Sequence, residues 1–389
     1  MRPAHCPSKG NEVKKIKATA ICAVVGVAIA GIAFVTPAQA DPISNSYTMV
    51  GSDTLQDVSN ALVNGTSITT SSVKVLDATG DTLGSFDAFG SPSIQTKQGG
   101  TYFGRPAGSG DGVKALSRSI DGAPYTATNN TTPAAVIQGA VDIARSSSGP
   151  GTVDANGVLA YVPFARDAVT YAYNGTSALA SITTSQLTDI YNCASGANII
   201  GGVTVQPLLP QAGSGTRKFF LKTLGITDNA ALVACVTNGG ANPTFAAVNE
   251  NDGTALSVAG EIAPFSVASY IAQSNGAAQN RTGSAQLGSP IGVAPYTGTG
   301  NTLAANTLYY NATGSNWGRD TYLVVEFARI DNSGASSTYD PQLAALMNPA
   351  LPKSLANFKT SGVSSAGAVK SKFGFLPPST TVIQRALSL

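Results

Sequence analysis

The residues best placed to do chemistry lie in one short run, Gly213-Ser214-Gly215-Thr216-Arg217, which follows the apolar Leu208-Leu209. Phe219, Phe220 and Leu224 form a helical stripe, so a helix is predicted over 216–224, with Gly225 as its C-terminal stop. At the start of such a helix the N–H groups of Gly215, Thr216 and Arg217 lack intrahelical acceptors. The helix dipole adds partial positive charge and the hydroxyls of Ser214 and Thr216 add donors, a combination that suits an oxyanion. The plainer alternative makes Ser214 a simple N-cap beneath a solvated Arg217.

Three further segments share this chemistry. Gly51-Ser52-Asp53-Thr54 precedes an apolar stripe, and Asp53 with Gln56 also reads as a capping box. Gly108-Ser109-Gly110-Asp111-Gly112 places glycines and a serine at another helix start. Arg145-Ser146-Ser147-Ser148 follows a buried strand, and Arg145 is either a structural, salt-bridged residue or a fork for an oxyanion. The candidate binding set is therefore Ser52, Asp53, Thr54, Ser109, Arg145, Ser146, Ser147, Ser214, Gly215, Thr216 and Arg217.

The compartment follows from the first 40 residues. Lys9, Lys14, Lys15 and Lys17 precede an apolar run from Ile21 to Val35, and Ala38-Gln39-Ala40 forms a small-x-small cleavage site. An export signal cleaved after Ala40 is expected, and the apolar run is short for a membrane span. The remaining 349 residues carry 18 basic and 20 acidic side chains, a net charge of −2, which argues against nucleic acid or an acidic membrane as partner. His5, the single histidine, leaves with the signal, so a Ser-His-Asp triad and histidine metal sites are excluded. No catalytic residue, metal or cofactor is expected. Cys193 and Cys235 remain as an even pair in an exported chain, read as a disulfide, the alternative being two separately buried thiols.

The elements that must position these residues alternate between strand and helix, which gives an α/β class. Strands are expected at 47–50, 73–76, 141–144, 159–164, 168–173 and 322–328. Helices are expected at 54–62, 110–120, 185–191 (capped by Thr184) and 341–347. The stretches 77–104 and 121–134 read as loops, and Glu250-Asn251-Asp252-Gly253 as a turn.

Taken together, the motifs resemble the extracellular phosphate-binding proteins of ABC transporters, a two-lobed periplasmic-binding-protein family. Gly108-Ser109-Gly110-Asp111-Gly112-Val113-Lys114 is similar to the family's G-S-S-G-G-V-K, and Ser214-Gly215-Thr216 to its S-G-T loop. Val141 to Ser147 aligns with its V-D-F-G-A-S-D, Thr54 with the hydroxyl of its first loop, and Lys372 to Pro377 with its terminal Y-G-F-L-P. Two positions depart from the family. Pro210 stands where its loop carries an arginine, so Arg217 or Arg145 would supply the guanidinium. Ser147 stands where it carries an aspartate, for which Asp53 is the candidate replacement.

The resemblance implies a type II two-lobed fold with a ligand cleft between the lobes. Residues 41–168 and 265–389 would form the first lobe and 169–264 the second. It further implies a monomer that captures inorganic phosphate or a related oxyanion, with a transporter permease as partner. The rival reading is a secreted, adhesin-like surface protein on the same fold. An acylase reading of Ser71-Ser72-Val73-Lys74 lacks the partner motifs such enzymes need.

Overall fold

Fifteen consecutive residues, Leu159–Tyr173, form one strand in the computed structural model, and 14 of them are buried. A strand covered on both faces reads as a near-continuous apolar run, as this one does. The structure describes residues 1, 41–76, 81–128, 130–236, 248–314, 317–334, 336–359 and 361–389. The expected export signal lies outside these residues, apart from Met1.

Nine strands of the main sheet are numbered here in chain order: β1 (Tyr47–Gly51), β2 (Leu83–Ser85), β3 (Ile143–Ser146), β4 (Leu159–Tyr173), β5 (Gln206–Pro207), β6 (Glu261–Ser266), β7 (Gln286–Leu287), β8 (Gly318–Glu326) and β9 (Gln384–Ala386). Their order is β5-β6-β4-β8-β3-β1-β2, with β7 and β9 also pairing with β4. β1 runs parallel to β2 and β3, whereas β8 is antiparallel to both β3 and β4. The helices used below are α1 (Gln56–Asn64), α2 (Ser109–Asp121), α3 (Thr184–Tyr191), α4 (Gly215–Leu224), α5 (Val267–Ser274), α6 (Pro341–Leu346) and α7 (Ala366–Lys372).

The fold is a mixed α/β architecture of the two-lobed kind, and β4 contributes to all three of its apolar cores. Its first half pairs with β8 and β9, and its second half with β6 and β7. Two apolar clusters cover the sheet around β1, β3 and β8, one under α1, α6 and α7 and the other under α2. A third cluster gathers Val169, Tyr171, Leu187, Phe220 and Phe265, and also takes in Leu287, Leu303, Tyr309 and Trp317. Helix α5 joins cores, with Val267 and Ile271 in the third cluster and Ala268 and Ala272 in the first.

A bulge interrupts the β4–β8 ladder: Thr321 pairs with Ala165 but Tyr322 pairs with Pro163. Pro163 has no N–H to give, so a bulge is where the strand tolerates it. The carbonyl of the skipped residue, Phe164, is taken by the buried ammonium of Lys370 at 2.7 Å. Burial holds that ammonium well below the usual lysine range.

Several local expectations shift. The two strands expected at 159–164 and 168–173 are one. Residues 73–76 form an isolated bridge between Val73 and Thr66, not a strand. The stretch 77–104 contains β2, which extends the sheet beside β1. Thr183, not Thr184, caps α3, through a capping box with Gln186. Cys193 and Cys235 form a disulfide with Cα atoms 5.7 Å apart. Among the described residues, no helix is long and apolar enough to cross a membrane.

Candidate functional site

Ser214 has extended backbone angles and its Oγ accepts the N–H of Arg217 at 2.9 Å, so the capping role is realised. The Ser214 hydroxyl in turn donates to Oε2 of Glu250. Helix α4 ends as expected, with Gly225 left-handed at φ 69°.

The start of α2 lies against this turn. Gly110 N–H points to the carbonyl of Gly213 at 3.4 Å, and the Gln211 side chain donates to the carbonyl of Ala107. Ser109 Oγ accepts the N–H of Ser147 at 3.0 Å and sits 3.1 Å from Ser147 Oγ. A methyl group on Gly215 would be driven into the hydroxyls of Ser109 and Ser147, and one on Gly108 would come within 2.8 Å of Gly213 O. These glycines let the N-terminal ends of α2 and α4 approach one another. Two positive helix ends in proximity favour an anion between them.

Thr54 and Thr216 complete the contact, their hydroxyls 3.5 Å apart. Both accept hydrogen bonds from Nη2 of Arg319, at 3.2 and 2.8 Å. Arg319 is 4% exposed and stands at the start of β8. Its Nε and Nη2 also donate to Asp167 of β4, at 3.2 and 2.9 Å. Asp167 is held in turn by the Ser266 hydroxyl and the Ala268 N–H. Nη1 of Arg319 is buried with no hydrogen-bond partner.

Arg319 was not among the candidates read from the sequence, and the two arginines that were have other partners. Arg145 is fully buried and spends its fork on the carbonyls of Ser52, Gly51 and Phe86 and the hydroxyl of Ser85. Desolvation lowers its pKa to about 10, opposed by Asp87, Asp53 and Asp57. Arg217 pairs with Asp228 at 2.5 and 2.9 Å and donates to the carbonyl of Pro210 at 2.9 Å. Each braces the turn beside it. Ser146 likewise turns its hydroxyl to the carbonyl of Ser148, at 2.7 Å.

Asp53 is 1% exposed and neither of its oxygens accepts a hydrogen bond from the surrounding donors. It does not cap α1, which Gln56 begins, and Gln56 instead accepts the N–H of Ala88. Burial drives the Asp53 carboxyl well above the usual range, and the adjoining Glu250 carboxyl adds to this, while the Thr54 N–H and Arg319 oppose it. Glu250 is 2% exposed, in the turn expected at 250–253, and was not a sequence candidate.

A cavity of about 440 Å³ opens beside this contact. It is lined by Phe89, Arg105, Ala107, Thr128, Gln211 and Asn249. Among the described residues, no group of three His, Cys, Asp or Glu side chains is placed to hold a metal ion.

No family model and no curated protein matches the sequence. The chain is similar to solved structures, and one of them superposes closely enough to share the fold. A Clostridium perfringens protein, described as a phosphate ABC transporter substrate-binding protein and solved with bound phosphate, superposes with a TM-score of 0.52 at 14% identity, over 86% of this chain and 99% of that one. An ABC-type phosphate transport receptor from Vibrio cholerae gives 0.48 at 14% identity, over 86% of this chain and 100% of that one.

Proposed function

We propose that this chain is an exported binding protein that captures a tetrahedral oxyanion, inorganic phosphate foremost, where α2, α4 and β8 converge. One observation carries the reading. The hydroxyls of Thr54 and Thr216 meet at a buried guanidinium with an unused donor, Nη1 of Arg319, and next to them the α2 and α4 N-termini meet where the Ser109 and Ser147 hydroxyls lie against Gly215. Neutral N–H and O–H donors in a dry cleft bind a dianion without a large excess of positive charge. The fold shared with a C. perfringens protein solved with bound phosphate supports the same reading.

In this reading Thr54, Ser109, Ser147, Ser214, Gly215 and Thr216 face the anion, and Arg319 supplies its countercharge. Arg145 and Arg217 hold the walls, and Ser52 and Asp53 stand behind Thr54. The lobes 41–168 with 265–389, and 169–264, close on the ligand by hinge motion, with Ala285, Leu287, Leu303, Tyr309 and Trp317 packed into the second. The protein is a binder and not an enzyme. It is exported after cleavage at Ala40, acts as a monomer and passes its ligand to a transporter permease.

The test is calorimetry and thermal shift with phosphate, arsenate, sulfate and phosphonates, on the mature chain and on Arg319→Met. Saturable one-to-one binding, lost in Arg319→Met, is expected, with a melting temperature that rises with ligand. Absence of any shift at millimolar anion would refute the reading. Full affinity in Arg319→Met would move the countercharge elsewhere.

A further inference from the structure

A site built from anion donors also contains two carboxyls that, among the described residues, form no ion pair with a cation. Asp53, in the turn after β1, and Glu250, in the turn before residues 253–255, are 1% and 2% exposed. Both oxygens of Asp53 and Oε1 of Glu250 are buried without a hydrogen-bond donor. Two carboxylates have acceptors only, so neither can satisfy the other. A proton on either turns the contact into an O–H···O bond. We propose that Asp53 and Glu250 hold one proton between them, and that this shared proton couples the meeting of the two lobes to pH.

The surroundings leave few other ways to neutralise the pair. Arg319 of β8 acts on Asp53 through its charge, but its bound donors go to Asp167, Thr54 and Thr216 and none reaches the Asp53 oxygens. Arg145 of β3 senses Asp53 at longer range, and its fork is spent on carbonyls and on Ser85, with Asp57 and Asp87 also acting on it. Beyond these, the Thr54 N–H lowers the pKa of Asp53 without completing a hydrogen bond to it, and the Ser214 hydroxyl donates to Oε2 of Glu250. Two ionised carboxyls here would be like charges in low dielectric, an arrangement that proteins resolve by retaining one proton.

The direction of the linkage follows. When the lobes separate, water reaches both carboxyls, and the burial that raises Asp53 is lifted. Bringing them together near neutral pH therefore takes up about one proton. The burial on Asp53 acts in the same sense. Stability from this contact is fully present in acid and is lost as pH rises through the raised value. The inference concerns the protein alone and stands apart from the identity of any anion.

The decisive experiment uses the mature, anion-free chain. Infrared difference spectra in H2O and D2O at neutral pH should show the C=O stretch of a protonated carboxyl, and Asp53→Asn should remove it. Melting temperature followed from pH 5 to 9 should fall for the wild type. In Glu250→Gln, whose amide can donate to Asp53, the curve should flatten, with a gain of several degrees at pH 8 and none at pH 5. A wild type without the protonated-carboxyl band would overturn the proposal, including the case in which a cation bridges two carboxylates. Parallel melting curves for the wild type and Glu250→Gln would do the same. If either variant fails to fold, the wild-type spectrum alone decides.

Discussion

Arg319 and Asp167 occupy directly opposed positions on β8 and β4, and their charged groups meet at 2.9 Å with 2% and 0% of their side-chain surface exposed. Asp167 orients the guanidinium, and two further donors, Ser266 and Ala268, hold Asp167. It is thus a positioning residue. Removing one partner of a buried pair leaves the other charge uncompensated, at about 3–5 kcal/mol. Asp167→Asn should lose stability on that scale in chemical denaturation, and the double change Asp167→Leu with Arg319→Met should lose less. Only variants that retain Arg319 and its geometry should bind anion.

Gly215 touches the opposite wall at the Ser109 and Ser147 hydroxyls, with no room for a side chain. Gly215→Ala should weaken anion affinity at least tenfold by calorimetry while the chain stays folded. Gly110 is the control: it is exposed, and a methyl group there meets only Gly213 O, at 3.6 Å. Gly110→Ala should bind normally and melt slightly higher, as alanine favours the helix.

Arg217 directly follows the site threonine, yet its fork belongs to Asp228 and to Pro210 O. Asp228 is 38% exposed, so solvent screens the pair and its loss should cost about 1 kcal/mol or less. Arg217→Met should therefore keep most of the anion affinity that Arg319→Met loses. Equal losses in the two variants would show that both guanidinium groups serve the ligand.

Burial raises the Asp57 carboxyl to about 6, with Asp87 adding to this and Arg281 and Arg145 opposing it. A carboxyl raised on folding contributes stability that is fully present below its ordinary value and is lost as pH climbs through the folded one. Asp57→Asn should melt a few degrees above the wild type at pH 7–8 and close to it below pH 4. Thermal scans across that range check the sign.

The Cys193–Cys235 bridge spans a separation of 42 residues. On loop-closure grounds it should contribute roughly 3–4 kcal/mol. Denaturation of the wild type and of the double Cys193→Ser, Cys235→Ser variant should differ by about that amount. The two should bind anion alike at a temperature where both are folded.

The parts of the site that could be read from the sequence are those encoded locally. A helix start writes its glycine, hydroxyl and apolar stripe within ten residues, so the turns at 52–54, 109–112 and 214–217 could be found and grouped. Arg319 could not. It reaches Thr216 from 103 residues away and Thr54 from 265, through the register of β8 on β4. The pairing also explains the expected break within β4. Arg166 and Asp167 interrupt the apolar pattern, but Asp320 and Arg319 neutralise them across the ladder and the strand continues. Arg145 and Arg217 misled for the converse reason: a neighbour in sequence need not point the same way. Glu250 read as a turn residue because nothing local reveals that its carboxyl meets Asp53.

A strand that belongs to all three cores constrains how the molecule can deform. β4 passes from one core to the next without a linker, so no core can shift without moving the ribbon they share. The ladder is broken at Phe164, where Lys370 takes the displaced carbonyl, so that point of β4 is held from the side by α7 and not by the neighbouring strand.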